Sequence, residues 1–225
     1  MIKIKEIIKM TYVIAGLHGS LDDFCSLEKN AAMGEKDTGY ILGGIVGGDL
    51  SLVTELSMRP NVYPVSDKDA LDALRMLGGF TKLLAGGGTP DPSFVAEMKA
   101  WASRGGAETL EAFRGMDDDM REGILDYLGE FSLFEETTIK GREWLLLSAG
   151  VEGYTGNEDL YELDPSAFAG VGFDMNSDTF AGRTVVTARA KQGQYDKITN
   201  FRGNWCLDCG KAACLRLEDG ECFYA

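Results

Sequence analysis

The sequence predicts an α/β fold, and three patterns carry that prediction. Four short apolar runs, Tyr12 to Ala15, Tyr40 to Leu42, Asn61 to Val65 and Trp144 to Leu147, each end in small or turn-forming residues, as buried strands do where they empty into loops. Helical patterns lie among them at Leu21 to Met33, Asp49 to Met58 and Lys68 to Leu77. Strands alternating with helices at this spacing build a sheet whose strand-end loops form a common site. From Glu135 onward strands dominate: Thr137 to Ile139, Trp144 to Leu147, Thr184 to Thr187, Asn204 to Cys209, Ala213 to Leu217 and Cys222 to Tyr224.

Taken in order, Tyr12 to Ala15 is partly β-branched and breaks at Gly16 and Gly19, which places His18 in a tight loop after a buried strand. In the helix that follows, Cys25 is expected to be a buried helix residue rather than a nucleophile, because the sequence offers no His partner for it. Gly43-Gly-Ile-Val-Gly-Gly48 has neither the spacing of a dinucleotide fingerprint nor the Gly-Lys-Ser/Thr ending of a P-loop, which argues against nucleotide binding by those motifs. Leu84-Ala-Gly-Gly-Gly-Thr89 reads as a flexible loop, and Pro92 to Leu128 as helices with glycine interruptions, including Ser93 to Ser103 and Asp117 to Leu128. Asp117-Asp-Asp119 lacks the alternating oxygen ligands of a calcium loop and reads as a solvated helix face. Cys206, Cys209, Cys214 and Cys222 cluster late in the chain. Their Cys-x-x-Cys start admits a zinc site, but the second pair lacks knuckle spacing and Cys214-Leu-Arg-Leu alternates like a strand, favouring buried strand cysteines.

A chain of 225 residues can build one sizeable core. A single domain is expected over 10–225, with 1–9 either an N-terminal extension or a first edge strand or short helix. No apolar run approaches the roughly 20 residues of a membrane helix, and Met1 to Lys9 carries charge through its apolar part, unlike a secretory signal. Five cysteines, an odd number, fit a reducing compartment, so a cytoplasmic location is expected. The formal net charge of -14 argues against nucleic acid and against an anionic membrane surface, since both are bound through Lys and Arg.

Several segments, in order, resemble the calcineurin-like metallophosphoesterases, specifically the small bacterial and phage-type serine/threonine phosphatases. Tyr12-Val-Ile-Ala-Gly-Leu-His-Gly19 resembles the family's Tyr-Val-x-x-Asp-x-His-Gly; Asp37 to Gly48 stands where Leu-Gly-Asp-x-Val-Asp-Arg-Gly is usual; Asn61 to Asp69 stands where a strand leads to Gly-Asn-His-Asp/Glu. Trp101, Gly105, Gly106 and Glu108-Thr-Leu110 match a Trp, Gly-Gly and Glu-Thr-Leu run, and Ile124 to Leu128, Gly141 to Gly150 and Gly182 to Ala190 follow in family order. The resemblance spans nearly the whole chain and implies a two-sheet β sandwich flanked by helices, with the site on loops at strand ends.

That family holds two metal ions that turn a bridging water into hydroxide, which demands a dense cage of carboxylate, amide and imidazole ligands. Position by position, the resemblance implies that the first Asp ligand is Gly16 while its His remains as His18, that the bridging Asp is Gly44, and that the following Asp-Arg pair is Gly47-Gly48. The metal-binding Asn becomes Asp67, the general-acid His becomes Lys68, its orienting acid remains as Asp69, and the two late histidines become Ser148 and Arg189. No catalytic set is intact, with His18 and Asp69 as relics, and no metal cofactor is expected. His18, Asp67, Lys68, Asp69 and Arg189 are the candidate ligand-binding residues. Lys68 and Arg189 either attract a phosphate, or Lys68 pairs with Asp67 or Asp69 while Arg189 extends to solvent. The leading expectation is a pseudophosphatase that binds a protein or a phosphorylated ligand. The alternatives are a weak phosphoesterase using manganese or another divalent ion on Asp22, Asp23, Asp49 or Asp69, and a structural subunit with no ligand. Oligomeric state is left open.

Overall fold

A computed structural model describes residues 9–86 and 91–225. Residues 1–8 of the expected extension and part of the Leu84 to Thr89 loop lie outside the described residues. The described residues form two five-stranded mixed sheets. In the first, β1 (Thr11–Ala15), β2 (Thr38–Leu42) and β3 (Val62–Val65) are parallel, and β9 (Ala213–Arg216) and β10 (Cys222–Tyr224) add antiparallel strands on the far side of β1, giving the order β10-β9-β1-β2-β3. The second runs β4-β5-β6-β8-β7, from β4 (Glu135–Ile139), β5 (Arg142–Leu147), β6 (Thr184–Thr187), β8 (Asn204–Cys206) and β7 (Thr199–Phe201). Within it β5, β6 and β8 are parallel.

Side chains of a strand alternate between faces, so a strand sandwiched on both sides must be apolar at every position. β1 meets that condition: Tyr12 and Ile14 face the helices while Val13 and Ala15 face the second sheet. From Trp144 onward β5 does the same, with Trp144 and Leu146 turned to the first sheet and Leu145 and Leu147 to the outside, while Arg142 and Glu143 are exposed. The inter-sheet core joins Val13, Leu42, Val65 and Leu215 to Leu146, Val186 and Leu207.

Helices cover the outer face of the first sheet: α1 (Leu21–Ala31), α2 (Ser51–Ser57), α3 (Lys68–Gly86), α4 (Pro92–Trp101), α5 (Ala107–Gly115) and α6 (Asp118–Gly129). The outer face of the second sheet is covered instead by loops and short 3-10 turns at Leu160–Glu162 and Pro165–Phe168, through Phe134, Leu160, Phe168, Phe173 and Phe180. Among the described residues, α-helices therefore flank the sandwich on one side only.

Several expectations are corrected. α1 stops at Ala31 rather than Met33, because Ala32 turns left-handed at φ 51°. α3 runs past Leu77 through Gly78 and Gly79 to Gly86; a Cβ at Gly79 would sit 2.2 Å from the Phe94 ring, so the glycine lets α4 lie close against α3. The stretch after Trp101 continues as a π turn into α5, a separate helix. β8 ends at Cys206, so Cys209 is a buried loop residue, whereas Cys206 and Cys214 are buried in strands and Cys222 is half-buried. Cys25 lies on the solvent face of α1, not in the core. Asp117 caps α6 by accepting from Met120 N at 2.8 Å, and the whole acidic triplet is exposed.

Candidate functional site

Parallel strands end on the same side of their sheets, and here that geometry gathers six loops around one mouth. The loops after β1, β2, β3, β5, β6 and β8 enclose a cavity of about 330 Å³. Its walls include Gly16, His18, Gly44, Asp67, Lys68, Asp69, Ser148 and Arg189. Positions scattered over 174 residues, from Gly16 to Arg189, are thus brought together around one cavity. Gly47 and Gly48 fall outside this cavity, in a neighbouring groove that shares His18, Gly44 and Asp69 and is walled by Trp101 and Arg104. Thr109 Oγ1 donates to the Gly48 carbonyl at 3.2 Å, which fixes that loop to α5.

The loop after β1 is tightly enclosed. Gly16 has φ +76°, a left-handed conformation that side chains disfavour, and a Cβ there would lie 2.6 Å from the Lys211 carbonyl oxygen. Two residues on, His18 holds φ 48° and is exposed; the loop around it is fixed by Gly19 N donating to Gly44 O at 2.9 Å.

Asp67 links the second and third loops. Its Oδ2 accepts from Gly44 N at 2.7 Å and its Oδ1 from Ala70 N at 2.9 Å, so both carboxylate oxygens are engaged and the second of these bonds caps α3. The carboxylate fits only because Gly43 has no side chain: a Cβ there would be 2.6 Å from Asp67 Oδ2. Ser148 is buried and donates from Oγ to the Ser66 carbonyl at 2.6 Å, tying the two sheets together at the cavity floor.

The cations are arranged differently from the expectation. Lys68 pairs with Asp72 at 2.6 Å, not with Asp67 or Asp69, since Asp72 lies one helical turn along the same face of α3. Arg189 is exposed and its guanidinium has no hydrogen-bond or ion-pair partner among the described residues; its backbone is held by the Thr187 hydroxyl, 3.2 Å from Arg189 N. Desolvation, reinforced by Asp67 and Asp72, pushes the Asp69 carboxyl above its ordinary range, although the residue reaches solvent; Lys68 and Arg189 oppose the shift. Of the proposed substitute ligands, Asp69 lines the cavity but Asp22, Asp23 and Asp49 do not. Asp22 lies on the exposed side of α1, and Asp49 is spent on Ser51 N at 3.0 Å. Among the described residues no group of three or more His, Cys, Asp or Glu side chains is placed to hold a metal ion.

Asp208, Cys209 and Lys211 also line the cavity, and the sequence pattern did not single them out. The expected strand Asn204 to Cys209 takes in Asp208 and Cys209, whereas β8 ends at Cys206 and the chain turns at Cys209-Gly210. Asp208 Oδ1 accepts from Gln194 Nε2 at 3.1 Å, and Lys211 Nζ lies 4.4 Å from the Tyr224 ring centroid.

Two predictions follow from these bonds. Asp67→Ala should lower stability by about 1–3 kcal/mol in urea unfolding without any added ligand, through loss of a cap and of charge-assisted bonds; a residue serving only as a ligand would leave stability unchanged. Asp69 has a folded-state pKa raised above the ordinary 3.8, so its ionised form costs stability at pH above the folded value, and the cost fades as pH falls toward 3.8. Asp69→Asn should therefore raise the melting temperature at pH 7, with no gain remaining at pH values below 3.8, as a pH series of thermal melts would show.

No family model matches the chain, and no curated protein matches it. Among solved structures it is similar to a protein described as a "putative diadenosine tetraphosphatase", with TM-score 0.61 and 12% identity over 98% of this chain and 94% of that one. It is also similar to hypothetical protein PH1004 from Pyrococcus horikoshii OT3, with TM-score 0.52 and 15% identity over 97% and 87% of the two chains. At such identities the likeness concerns the fold: two mixed sheets flanked by helices, consistent with the calcineurin-like metallophosphoesterase architecture.

Proposed function

We propose that this chain is a catalytically inactive relative of the metallophosphoesterases, a pseudophosphatase, which binds a phosphorylated ligand in the cavity at its strand ends. The observation that carries the reading is the position of the Lys211 carbonyl, 2.6 Å from where a Gly16 side chain would begin. In the resembling family a metal-binding carboxylate stands at that position; here the chain's own backbone takes the space. The remaining donors support the same reading. Both Asp67 oxygens are engaged by backbone N–H groups, and the Ser148 hydroxyl is committed to Ser66. Metal centres of this kind need about four or more well-placed ligands, and the residues present do not fit a two-metal centre.

The cavity keeps features suited to an anion. Arg189 stands at its edge with a guanidinium free of protein partners among the described residues, and Lys68, Lys211 and His18 share the wall. A guanidinium offers two parallel donors to a phosphate, and its low cost of ordering favours binding over a flexible ammonium. Asp67, Asp69 and Asp208 also line the cavity and oppose an anion by charge. Asp67 does so least, because its charge is offset by two N–H dipoles.

Protein purified in manganese should carry no stoichiometric metal and should hydrolyse a generic aryl phosphate at the background rate. Stoichiometric metal with turnover that disappears in His18→Ala would overturn the inactive reading in favour of a reduced metal site. Separately, phosphate at about ten times its dissociation constant should stabilise the chain by about 1.4 kcal/mol, a rise in melting temperature of roughly 3–6 °C. Arg189→Ala should abolish that rise, and no rise in the unaltered protein at millimolar phosphate would count against anion binding.

A further inference from the structure

We infer that the ligand site extends past Arg189 into a second compartment shaped for a planar ring, so that the bound compound is a phosphate monoester carrying an aromatic or heteroaromatic group. The inference rests on the anion-binding reading of the first cavity.

A second cavity, of about 440 Å³, lies beside the first, and Arg189 lines both. Its walls hold Val151, Tyr154, Val171, Phe173 and Phe180. The Tyr154 and Phe180 rings stack with centroids 4.6 Å apart and 13° between planes, and Phe173 packs on Phe180 at 6.1 Å. Phe173 and Phe180 are buried, so the half-buried Tyr154 offers the ring surface; aromatic surfaces bind planar rings by offset or edge contacts in addition to the apolar area buried, and a volume of this size is ordinary for a small-molecule compartment.

The partition between the cavities is well fixed. Gly150 N donates to Val171 O at 2.7 Å, Phe173 N to Arg189 O at 2.8 Å, and Lys191 N to Phe173 O at 2.8 Å. The 171–173 segment is therefore bound on both sides, and the Arg189 backbone is held both by Phe173 and by Thr187. The Arg189 side chain has no hydrogen-bond or ion-pair partner among the described residues, and the residue lines both spaces. A guanidinium placed there can hold a phosphate on one side while the group esterified to it lies on the other.

Charge does not separate the two spaces: Lys68 and Lys211 share the first with Asp67, Asp69 and Asp208, and Lys191 shares the second with Glu152 and Asp174. The aromatic rings of the second space are what suit it to the uncharged end of the ligand.

Calorimetric titration of the whole chain with inorganic phosphate, glycerol phosphate, phenyl phosphate and adenosine monophosphate tests the inference. At least one of the two ring-bearing esters should bind roughly tenfold tighter than glycerol phosphate, the scale that one stacked and partly buried ring supplies. Tyr154→Leu, which keeps apolar bulk without the ring, should erase most of that preference and leave the affinity for inorganic phosphate unchanged. Equal affinity for all four compounds would overturn the ring compartment while leaving anion binding intact. A ring preference that survives Tyr154→Leu would also overturn it. If none of the four binds, the anion reading itself fails.

Discussion

The site depends on one carboxylate, that of Asp67. It accepts from Gly44 after β2 and from Ala70 in the first turn of α3, so a single side chain fixes two loops and the start of a long helix. Charge-assisted bonds to backbone N–H groups are among the stronger hydrogen bonds a protein makes, and the helix N-terminus adds a favourable dipole. Gly43 leaves the room this needs. Lys68 and Asp69, the next two residues, take their positions from that cap: one reaches Asp72, and the other faces the cavity beside it.

A residue that the family resemblance would make a ligand is in this chain a structural tie. The same holds for Ser148, which joins the sheets through Ser66, and for the space beside Gly16, filled by the Lys211 carbonyl. These contacts explain how a cavity can keep its shape while its side chains change. Its walls are set by backbone hydrogen bonds and by packing under the strand ends, and neither requires a bound ion. A chain of net charge -14 nonetheless presents Arg189, whose guanidinium has no hydrogen-bond or ion-pair partner among the described residues, in the lining of two cavities.

Strands with both faces buried were the most legible elements, because their apolar runs are uninterrupted: β1, β5 and β6 match the sequence reading closely. Elements whose order depends on a distant partner were not. The second half of α3 is hidden by Gly78-Gly79, which reads as a break until Phe94 is seen packed over it. α5 is obscured because Gly105, at φ 118°, interrupts the helical periodicity before it. β7 is an edge strand with little apolar content, held by β8 alone. Cys25 shows the converse error: an apolar residue in a helix need not face the core, and its α1 position turns it to solvent.

The sequence by itself determined the α/β class and the order of the principal strands, and its resemblance to a known family named the positions expected after β1, β2, β3, β5 and β6. It could do so because burial on two faces, glycine at loop exits and the order of motifs are local properties of the chain. Only the tertiary structure decided what those positions do: that Asp67 is a cap, that Lys68 turns to Asp72, and that a carbonyl fills the space at Gly16. It also brought in Asp208, Cys209 and Lys211, and joined a second cavity through Arg189. Each of these depends on backbone returning from a distant part of the chain, and no local pattern of residues encodes where it will pass.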